Sequence, residues 1–396
     1  MQIGLLGKAN VGKSTFFSAA TETPVPTGNF PFTTIEPNVG VAYVKADCAC
    51  KHFDISHENQ FCNVGVRFIP VKLIDVAGLV PGAHEGKGLG NQFLDDARQA
   101  EVLIHVVDIA GTTDIQGQPV PIGSHNPLED VEFVQNEFDQ WFVNILKREW
   151  DKITREIDQK RAKLNEAITK RFTGLGIKDY QVQEVLQQEN LVSKNPKEWS
   201  TTEIETFVKK LRKNTKPIII AANKADLCQD LEIINKISDS DVVPCSAETE
   251  LLLRKASKTG IIKYSPGEKS FSVVEGKEIS PPQQKALDLV KDVFSKIPST
   301  GIQKILNKAV FDTLKFIVVY PVEDETKLTN KDGEVLPDAK LLPENSTAKD
   351  LAFLIHQDIA KGFLHAIDCK TKQRIGGDHK LQNGDVIKII STLSRG

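Results

Sequence analysis

The amino-acid sequence predicts an α/β fold: a doubly wound sheet that carries a helical, coiled-coil-like insertion and a C-terminal β-grasp domain. Three observations support this prediction. An apolar strand at residues 2–6 leads into a glycine-rich loop and a helix at 14–20. Apolar residues then recur at a helical period between residues 131 and 168. From Phe316 onward, short strand patterns alternate with turn signals such as Asn383-Gly384.

The length and composition suit a globular protein of more than one domain. The chain has 396 residues, and its 50 basic residues nearly balance 53 acidic ones, which gives no overall electrostatic sign of nucleic-acid binding. No apolar stretch approaches the ~18 residues that a membrane span needs. A signal peptide is not expected because the first strand starts at Gln2, and the six cysteines suit a reducing cytosol. These features predict a cytoplasmic protein.

The first motif is a phosphate-binding loop. Residues 7–14 read GKANVGKS and match G-x-x-x-x-G-K-[ST] between a strand and a helix. Backbone N–H groups of such a loop surround phosphates, while Lys13 reaches the β- and γ-phosphates and the Ser14 hydroxyl ligates Mg²⁺. The expected nucleotide contacts here come from Gly7, Asn10, Val11, Gly12, Lys13, Ser14 and Thr15.

The second motif is D-x-x-G, which begins at Asp75 where an apolar strand ends. In this motif Asp75 is expected to hold Mg²⁺ through water, and the Gly78 N–H is expected to contact the γ-phosphate.

The third motif, N-K-x-D, indicates which base is bound. It follows an apolar strand and supplies Asn223, Lys224 and Asp226. The Asp226 carboxylate can accept hydrogen bonds from N1–H and the N2 amine of guanine. Adenine lacks both donors, so discrimination of up to ~10⁴-fold is possible. Lys224 is expected to lie along the base, and Asn223 to connect this loop to the phosphate loop.

The fourth segment is Ser246-Ala247, after the strand at 242–245. Here the Ala247 N–H is expected to bond guanine O6. All four segments lie at carboxyl ends of predicted parallel strands, where open sheets bind their ligands. The sequence therefore predicts a site for GTP and GDP.

Two longer segments, NFPFTTIEPNVG at 29–40 and AGLVPGAHEGKGLGNQFL at 77–94, closely resemble the Obg-related P-loop GTPases, specifically the YchF branch in its archaeal form. The resemblance implies that Thr34, rather than Thr33, is the switch threonine that contacts Mg²⁺ and the γ-phosphate. It also implies association with the ribosome or structured RNA. Many relatives carry N-x-x-E and prefer ATP, whereas Asp226 favours guanine.

The catalytic water has no evident partner in the sequence. Leu79 stands where Ras-like enzymes carry a glutamine, so unaided hydrolysis is expected to be slow, near ~10⁻⁴ s⁻¹. Another group, a cation or a partner must then assist. Asn10 is a candidate K⁺ ligand, with a loop-capping amide as the alternative. His84 is a candidate for positioning water, with an ordinary exposed loop histidine as the alternative.

A cysteine and histidine cluster lies between these motifs, at Cys48, Cys50, His52, His57 and Cys62. Zinc at Cys48, Cys50, His52 and Cys62 is conceivable, but the spacing matches no regular metal pattern, and an ordinary β-hairpin insertion is favoured. A disulfide is conceivable in a hyperthermophile.

The domain organisation follows from these patterns. A long helix is expected to end at 173–176, and a return helix to begin at Thr201 with Ser200 and Glu203 as a capping box. Near the C-terminus, Thr347 with Asp350 is expected to cap a helix that runs to about Ala360. Segments at 336–339, 348–352 and 383–387 resemble the TGS domain. The expected parts are a first G-domain part (1–126), a helical insertion (127–215), a second G-domain part with a helical extension (216–315) and a TGS domain (316–396).

The sequence thus predicts a GTP-hydrolysing switch. Two alternatives remain at this stage: an ATP-hydrolysing or dual-specificity relative, and a nucleotide-responsive binding module with negligible turnover. The activating factor, the cellular process and the oligomeric state do not follow from the sequence.

Overall fold

The computed structural model describes residues 1–22, 39–55, 59, 61–76, 97–237 and 241–393. These residues form two compact units. The described part of unit 1 comprises residues 1–22, 39–40, 72–76, 97–237 and 241–305, and that of unit 2 comprises 41–55, 59, 61–71 and 306–393. None of the helices in the described ranges combines the length and the apolar character that crossing a bilayer requires.

The strands, in chain order, are β1 (Gln2–Leu6), β2 (Val39–Asp47), β3 (Cys62–Asn63), β4 (Val66–Asp75), β5 (Val102–Asp108), β6 (Ile218–Asn223), β7 (Asp241–Pro244), β8 (Ile262–Lys263), β9 (Ser272–Val273), β10 (Phe316–Val322), β11 (Lys340–Pro343), β12 (Phe363–Asp368), β13 (Gln373–Ile375) and β14 (Asp385–Ser391).

The α-helices among the described residues are α1 (Lys13–Thr21), α2 (Cys50–Phe53), α3 (Pro127–Asp158), α4 (Leu164–Phe172), α5 (Asp179–Gln188), α6 (Thr201–Thr215), α7 (Ala247–Lys258), α8 (Pro281–Lys296), α9 (Ile302–Asn307), α10 (Ala348–Ile355) and α11 (Gln357–Lys361).

Unit 1 is built on a parallel sheet in the order β4-β1-β5-β6-β7, with β4 contributing its last residues. Strands buried on both faces read as continuous apolar runs, and every residue of β5 is buried. Because the strands are parallel, their carboxyl ends share one edge of the sheet. The motif segments after β1, β6 and β7, together with Asp75 at the end of β4, therefore lie at that edge, as open α/β sheets require.

Helices α3 to α6 form the insertion and share one hydrophobic core with residues of this sheet. Phe138 and Phe142 of α3 are fully buried and share a core with Leu103 of β5. The predicted capping box is confirmed: the Ser200 hydroxyl accepts from the Glu203 N–H, and the Glu203 carboxylate accepts from the Ser200 N–H.

The prediction of one continuous helix through Ile168 is wrong. The helix α3 ends at Asp158, and α4 starts at Leu164. Lys160 lies between them in the left-handed region at φ +53°, and the Arg161 N–H closes back onto the Glu156 carbonyl at 2.9 Å. A left-handed residue of this kind ends a helix whatever the apolar period predicts.

In unit 2, residues 316–391 form a five-stranded sheet in the order β11-β10-β14-β12-β13. The central pair, β10 and β14, is parallel, and the other pairs are antiparallel. Thr347 caps α10 through a capping box with Asp350, as predicted. The expected single helix to Ala360 is instead divided at His356, which adopts an extended backbone and caps α11.

Candidate functional site

The phosphate loop joins β1 to α1 and depends on its glycines. Gly12 has φ +91° and would place a Cβ 2.4 Å from Asn223 Nδ2, so no larger residue fits without displacing that amide. Gly7 has φ +155°, and a Cβ there would lie 2.6 Å from the Val106 carbonyl oxygen. Ser14 is exposed in the first turn of α1, where its hydroxyl can reach a ligand.

Lys13 joins the first two motifs. Its ammonium forms an ion pair with the Asp75 carboxylate and donates to the Val76 carbonyl at 2.7 Å. Asp75 is the last residue of β4, so the carboxyl end of that strand supplies a negative charge beside the phosphate loop. Asp75 and Ser14 offer oxygen donors, which are the ligands that Mg²⁺ prefers.

Asn223 connects three of the motif segments. Its Nδ2 donates to the Val11 carbonyl at 2.9 Å, and its Oδ1 accepts from the Ala247 N–H at 3.0 Å. The side chain is 3% exposed, so each of these hydrogen bonds satisfies a buried polar group. One amide thus fixes the phosphate loop against the ends of β6 and β7.

The expected contact between the Ala247 N–H and guanine O6 stays a prediction. The Ala247 N–H, expected to bond a guanine oxygen, has Asn223 Oδ1 as its acceptor. The neighbouring Ser246 N–H donates to the Thr300 carbonyl at 2.9 Å. The buried Asn223 oxygen needs a donor, and the start of α7 supplies it. The Ser246 hydroxyl lies 2.7 Å from Thr249 Oγ1 and caps the same helix.

Lys224 spans the site with its ammonium group. The residue has φ +60°, and its Nζ donates to the Asn10 carbonyl at 2.9 Å, to Asp108 Oδ2 at 3.0 Å and to Thr112 Oγ1 at 2.9 Å. The side chain is held against the phosphate loop by these three acceptors, so its aliphatic stem has a fixed position beside the base segment.

Asp108 is a site residue that the sequence analysis missed. It ends β5, is fully buried, and accepts through Oδ2 from Lys224, the Thr112 hydroxyl and the Thr113 hydroxyl. Oδ1 has no hydrogen-bond partner among the described residues. Its position in the sequence could have identified Asp108 as a site residue, because an aspartate at the carboxyl end of a central buried strand lies at the edge of the sheet that binds ligands.

The loop between β5 and α3 lies directly against the phosphate loop, which the sequence analysis also missed. Asn10 Nδ2 donates to the Gly117 carbonyl at 2.9 Å, and a Cβ on Gly117 would lie 2.7 Å from the Ala9 carbonyl oxygen. Lys8 is buried and donates to the Thr113 carbonyl and to Asp130. The Asn10 amide nitrogen thus joins the two loops. A K⁺ ion would bind the other side-chain atom, Oδ1.

Asp226 is partly exposed at the turn after β6. Its backbone carbonyl accepts from Lys296 of α8 at 2.7 Å, which fixes the turn. The carboxylate lies near Cys245: burial raises the pKa of the Cys245 thiol first, and the negative charge of Asp226 raises it further. This proximity places the carboxylate beside the end of β7.

A second cluster lies in unit 2. The sulfur atoms of Cys48, Cys50 and Cys62 lie within 4.8 Å of one another. His52, the fourth residue of the conceivable zinc set, is not part of this group, and its ring meets Phe53 edge-on at a centroid distance of 5.1 Å.

Comparison with known families assigns the main parts of the chain. The model for the 50S ribosome-binding GTPase family matches residues 2–142. The Obg-like GTPase YGR210-like, G4 motif-containing domain matches residues 221–324. The TGS domain matches residues 328–391.

The sequence is also similar to curated proteins over nearly its whole length. It is 46% identical over 395 residues to an uncharacterized GTP-binding protein of Methanocaldococcus jannaschii, covering 98% of each chain. The chain belongs to the YchF branch of the Obg-like GTP-binding proteins. A more distant relative of this YchF-type chain is the human Obg-like ATPase 1, 26% identical with coverage of 92% of this chain and 82% of the relative.

A solved structure supports the fold of this YchF-type protein. The crystal structure of a GTP binding protein from Pyrococcus horikoshii OT3 is 40% identical, with a TM-score of 0.77 over 99% of this chain and 100% of the other. Several predicted site residues of the YchF-type chain, namely Thr33, Thr34, His57, Gly78, Leu79 and His84, lie outside the residues that the structure describes.

Proposed function

We propose that this protein binds GTP and GDP with Mg²⁺ and hydrolyses GTP to GDP and phosphate as a molecular switch. The observation that carries the proposal is the Asn223 amide, which joins the phosphate loop to the base-recognition segment and to the start of α7. Such a connection fixes the distance between the phosphate and base positions, as a site for a whole nucleotide requires. The match of the G4-motif domain to residues 221–324 gives independent support.

The residues present fit a magnesium ion. The exposed Ser14 hydroxyl and the Asp75 carboxylate are hard oxygen donors at the phosphate loop, with Thr34 as the further proposed ligand. When bound, the ion supplies neutralisation of phosphate charge. Lys13, now paired with Asp75, would turn to the β- and γ-phosphates.

The base preference is tested at Asp226. Asp226→Asn replaces an acceptor by an amide, whose NH₂ group suits a carbonyl oxygen instead of the N1–H and N2 donors of guanine. We expect GTP affinity to fall by about a hundredfold or more while affinity for xanthosine triphosphate rises. Calorimetric titration with both nucleotides, with Mg²⁺ and K⁺ present, measures this.

The matched control is Asp230→Asn, because Asp230 is exposed and caps a 3₁₀ turn, a role that asparagine also fills. It should leave both affinities unchanged. Equal loss of GTP and ATP binding in Asp226→Asn, without gain for the xanthine nucleotide, would contradict guanine recognition by this carboxylate.

An ATP-hydrolysing or dual-specificity protein is the second candidate, favoured by the relative named Obg-like ATPase 1. Titration of the unmodified protein with GDP, ADP and the non-hydrolysable analogues of GTP and ATP separates the two. A guanine preference of about a hundredfold supports the GTPase, and comparable affinities support the ATPase.

We further propose that the protein associates with the ribosome or structured RNA, and that this partner accelerates GTP hydrolysis. Association with the ribosome implies a cytoplasmic location. The match of residues 2–142 to the ribosome-binding GTPase family supports this. Ribosomes should co-sediment more of the protein with a GTP analogue than with GDP, and should accelerate turnover. Hydrolysis that stays negligible with ribosomes and K⁺ would favour the nucleotide-responsive binding module, in keeping with Leu79 and its lack of a hydrogen-bonding group.

A further inference from the structure

Three cysteines from separate positions in the chain converge in unit 2. Cys48 follows β2, Cys50 begins the single turn of α2, and Cys62 lies in β3. Their sulfur atoms all lie within 4.8 Å of one another, and none of the three forms a disulfide. This cluster takes no part in the nucleotide site described above.

The spacing of the sulfur atoms distinguishes two kinds of chemistry. Cys50 Sγ and Cys62 Sγ are 4.0 Å apart. A disulfide requires about 2.05 Å between sulfurs. In a tetrahedral zinc site, Zn–S bonds of about 2.3 Å place pairs of sulfurs about 3.8 Å apart. The observed separation therefore matches two ligands of one metal ion and is about twice that of a covalent bond.

We propose that Cys48, Cys50 and Cys62 bind one zinc ion. Binding is not a redox step: three thiols release three protons, and Zn²⁺ with three thiolates forms a centre of net charge −1. The fourth tetrahedral position is left for water. The irregular spacing of the three cysteines, C-x-C-x₁₁-C, explains why the sequence pattern alone did not favour a metal.

The β3–β4 hairpin orients one of these ligands. The Gly65 N–H donates to Cys62 Sγ. In return, the Cys48 N–H donates to the Gly65 carbonyl at 2.9 Å. Backbone contacts of this type to a ligand sulfur orient metal ligands and tune their basicity.

The hairpin turn itself is strained. Val64 and Gly65 form the two-residue loop with φ values of +46° and +75°, and the Val64 side chain is 94% exposed. A β-branched residue rarely adopts positive φ. Exposure means that packing of the Val64 side chain does not hold the turn, so its closure must come from contacts around the hairpin, to which a bound metal would add.

A buried cation lies beside the cluster. Arg67 pairs directly with Cys62 across the hairpin, so both side chains leave the same face. Arg67 is 1% exposed; its Nη2 donates to the Leu336 and Pro337 carbonyls, while Nη1 has no hydrogen-bond partner among the described residues. A buried guanidinium favours a nearby centre of charge −1.

The metal would hold the 48–65 segment in the same compact unit as the β-grasp sheet. Tyr320 of β10 donates its hydroxyl to the Asp47 carbonyl at 2.9 Å, and Asn59 Nδ2 donates to the Leu336 carbonyl at 3.0 Å. These hydrogen bonds anchor the chain at Asp47, next to Cys48, and at Asn59, three residues before Cys62. A metal joining Cys48, Cys50 and Cys62 would cross-link the chain close to both anchors, which is a structural role.

The first test measures zinc in the full-length protein after zinc loading and exhaustive dialysis. We expect about one zinc per chain in the unmodified protein and in Cys369→Ser, whose buried cysteine lies in unit 2 but outside the cluster. Cys62→Ser should weaken zinc binding by at least about a hundredfold, beyond the usual effect of losing an outer-shell contact. Unchanged GDP affinity would show that Cys62→Ser still folds its nucleotide site.

Cobalt substitution and thiol counting provide the second test. Co²⁺ should give thiolate charge-transfer absorption in the unmodified protein and in Cys369→Ser, and zinc should protect three thiols from alkylation. The proposal fails if the unmodified protein retains no metal and its three thiols stay reactive. It also fails if two of them are lost only by reversible oxidation, which would identify a disulfide pair.

Discussion

The nucleotide site and the cysteine cluster differ in how their buried polar groups are balanced. In the nucleotide site two lysines pair with carboxylates: Lys13 with Asp75, and Lys224 with Asp108. In the cysteine cluster, like groups face one another. Burial first, and then the Cys48 thiol, raise the pKa of Cys50 to about 12. The first region is organised by its own side chains, whereas the second gains from an added cation.

Removing the Asn223 side-chain amide from the nucleotide site should have the largest effect of the changes we predict. Asn223→Ala leaves the Val11 carbonyl and the buried Ala247 N–H without partners. We expect GDP affinity to fall by about a hundredfold, since each unsatisfied buried group costs about 1–3 kcal/mol. Calorimetric titration measures the loss. Asn195→Ala, at an exposed turn, is the control. If Asn223→Ala bound GDP as tightly as the unmodified protein does, Asn223 would be dispensable.

Metal removal should act on the other region alone. With free zinc at about a hundred times its Kd, chelation should lower the free energy of unfolding of the zinc-binding unit by about 2.7 kcal/mol. Thermal unfolding with and without chelator measures this, and Cys62→Ser should not respond. GDP affinity should stay the same. A chelator effect of equal size in Cys62→Ser would show that the stabilising metal is not bound by the cysteine cluster.

Asp108 offers a smaller perturbation of the nucleotide site. Asp108→Asn keeps the shape but removes the negative charge that holds Lys224. A charge-assisted hydrogen bond contributes about 1.5–3 kcal/mol, so GDP affinity should fall about tenfold or somewhat more. Equilibrium titration gives the value. Asp114→Asn, in the same loop but with a carboxylate that accepts from the nearby Gln116 and Gln118 N–H groups, should bind GDP normally.

The smallest expected effect lies in neither region. Ser200→Ala removes the cap of α6 and should lower the free energy of unfolding by about 1 kcal/mol. Denaturant titration tests this against Thr202→Ala, an exposed neighbour in the first turn. GDP affinity and zinc content should both stay unchanged, because the Ser200–Glu203 cap lies at the exposed start of α6. A change in GDP affinity would show that the insertion influences the nucleotide site, and a change in zinc content would show that it influences the cysteine cluster.

Much of the fold and part of the site were predictable from local sequence. The capping pairs Ser200–Glu203 and Thr347–Asp350 fix helix starts through contacts three residues apart. The breaks at Lys160 and His356 escaped prediction, because a continuous apolar period does not report where the backbone leaves the helix.

The sequence by itself determined the strand-loop-helix start, the order of the motif segments and their common edge of the sheet, because these follow from local patterns and parallel strands. Tertiary structure alone decided that Asn10 meets Gly117, that Asp108 holds Lys224, and that three irregularly spaced cysteines converge. Those contacts join residues far apart in the chain or unevenly spaced within it. Their partners are chosen by packing and by the need to satisfy buried polar groups, which no local period encodes.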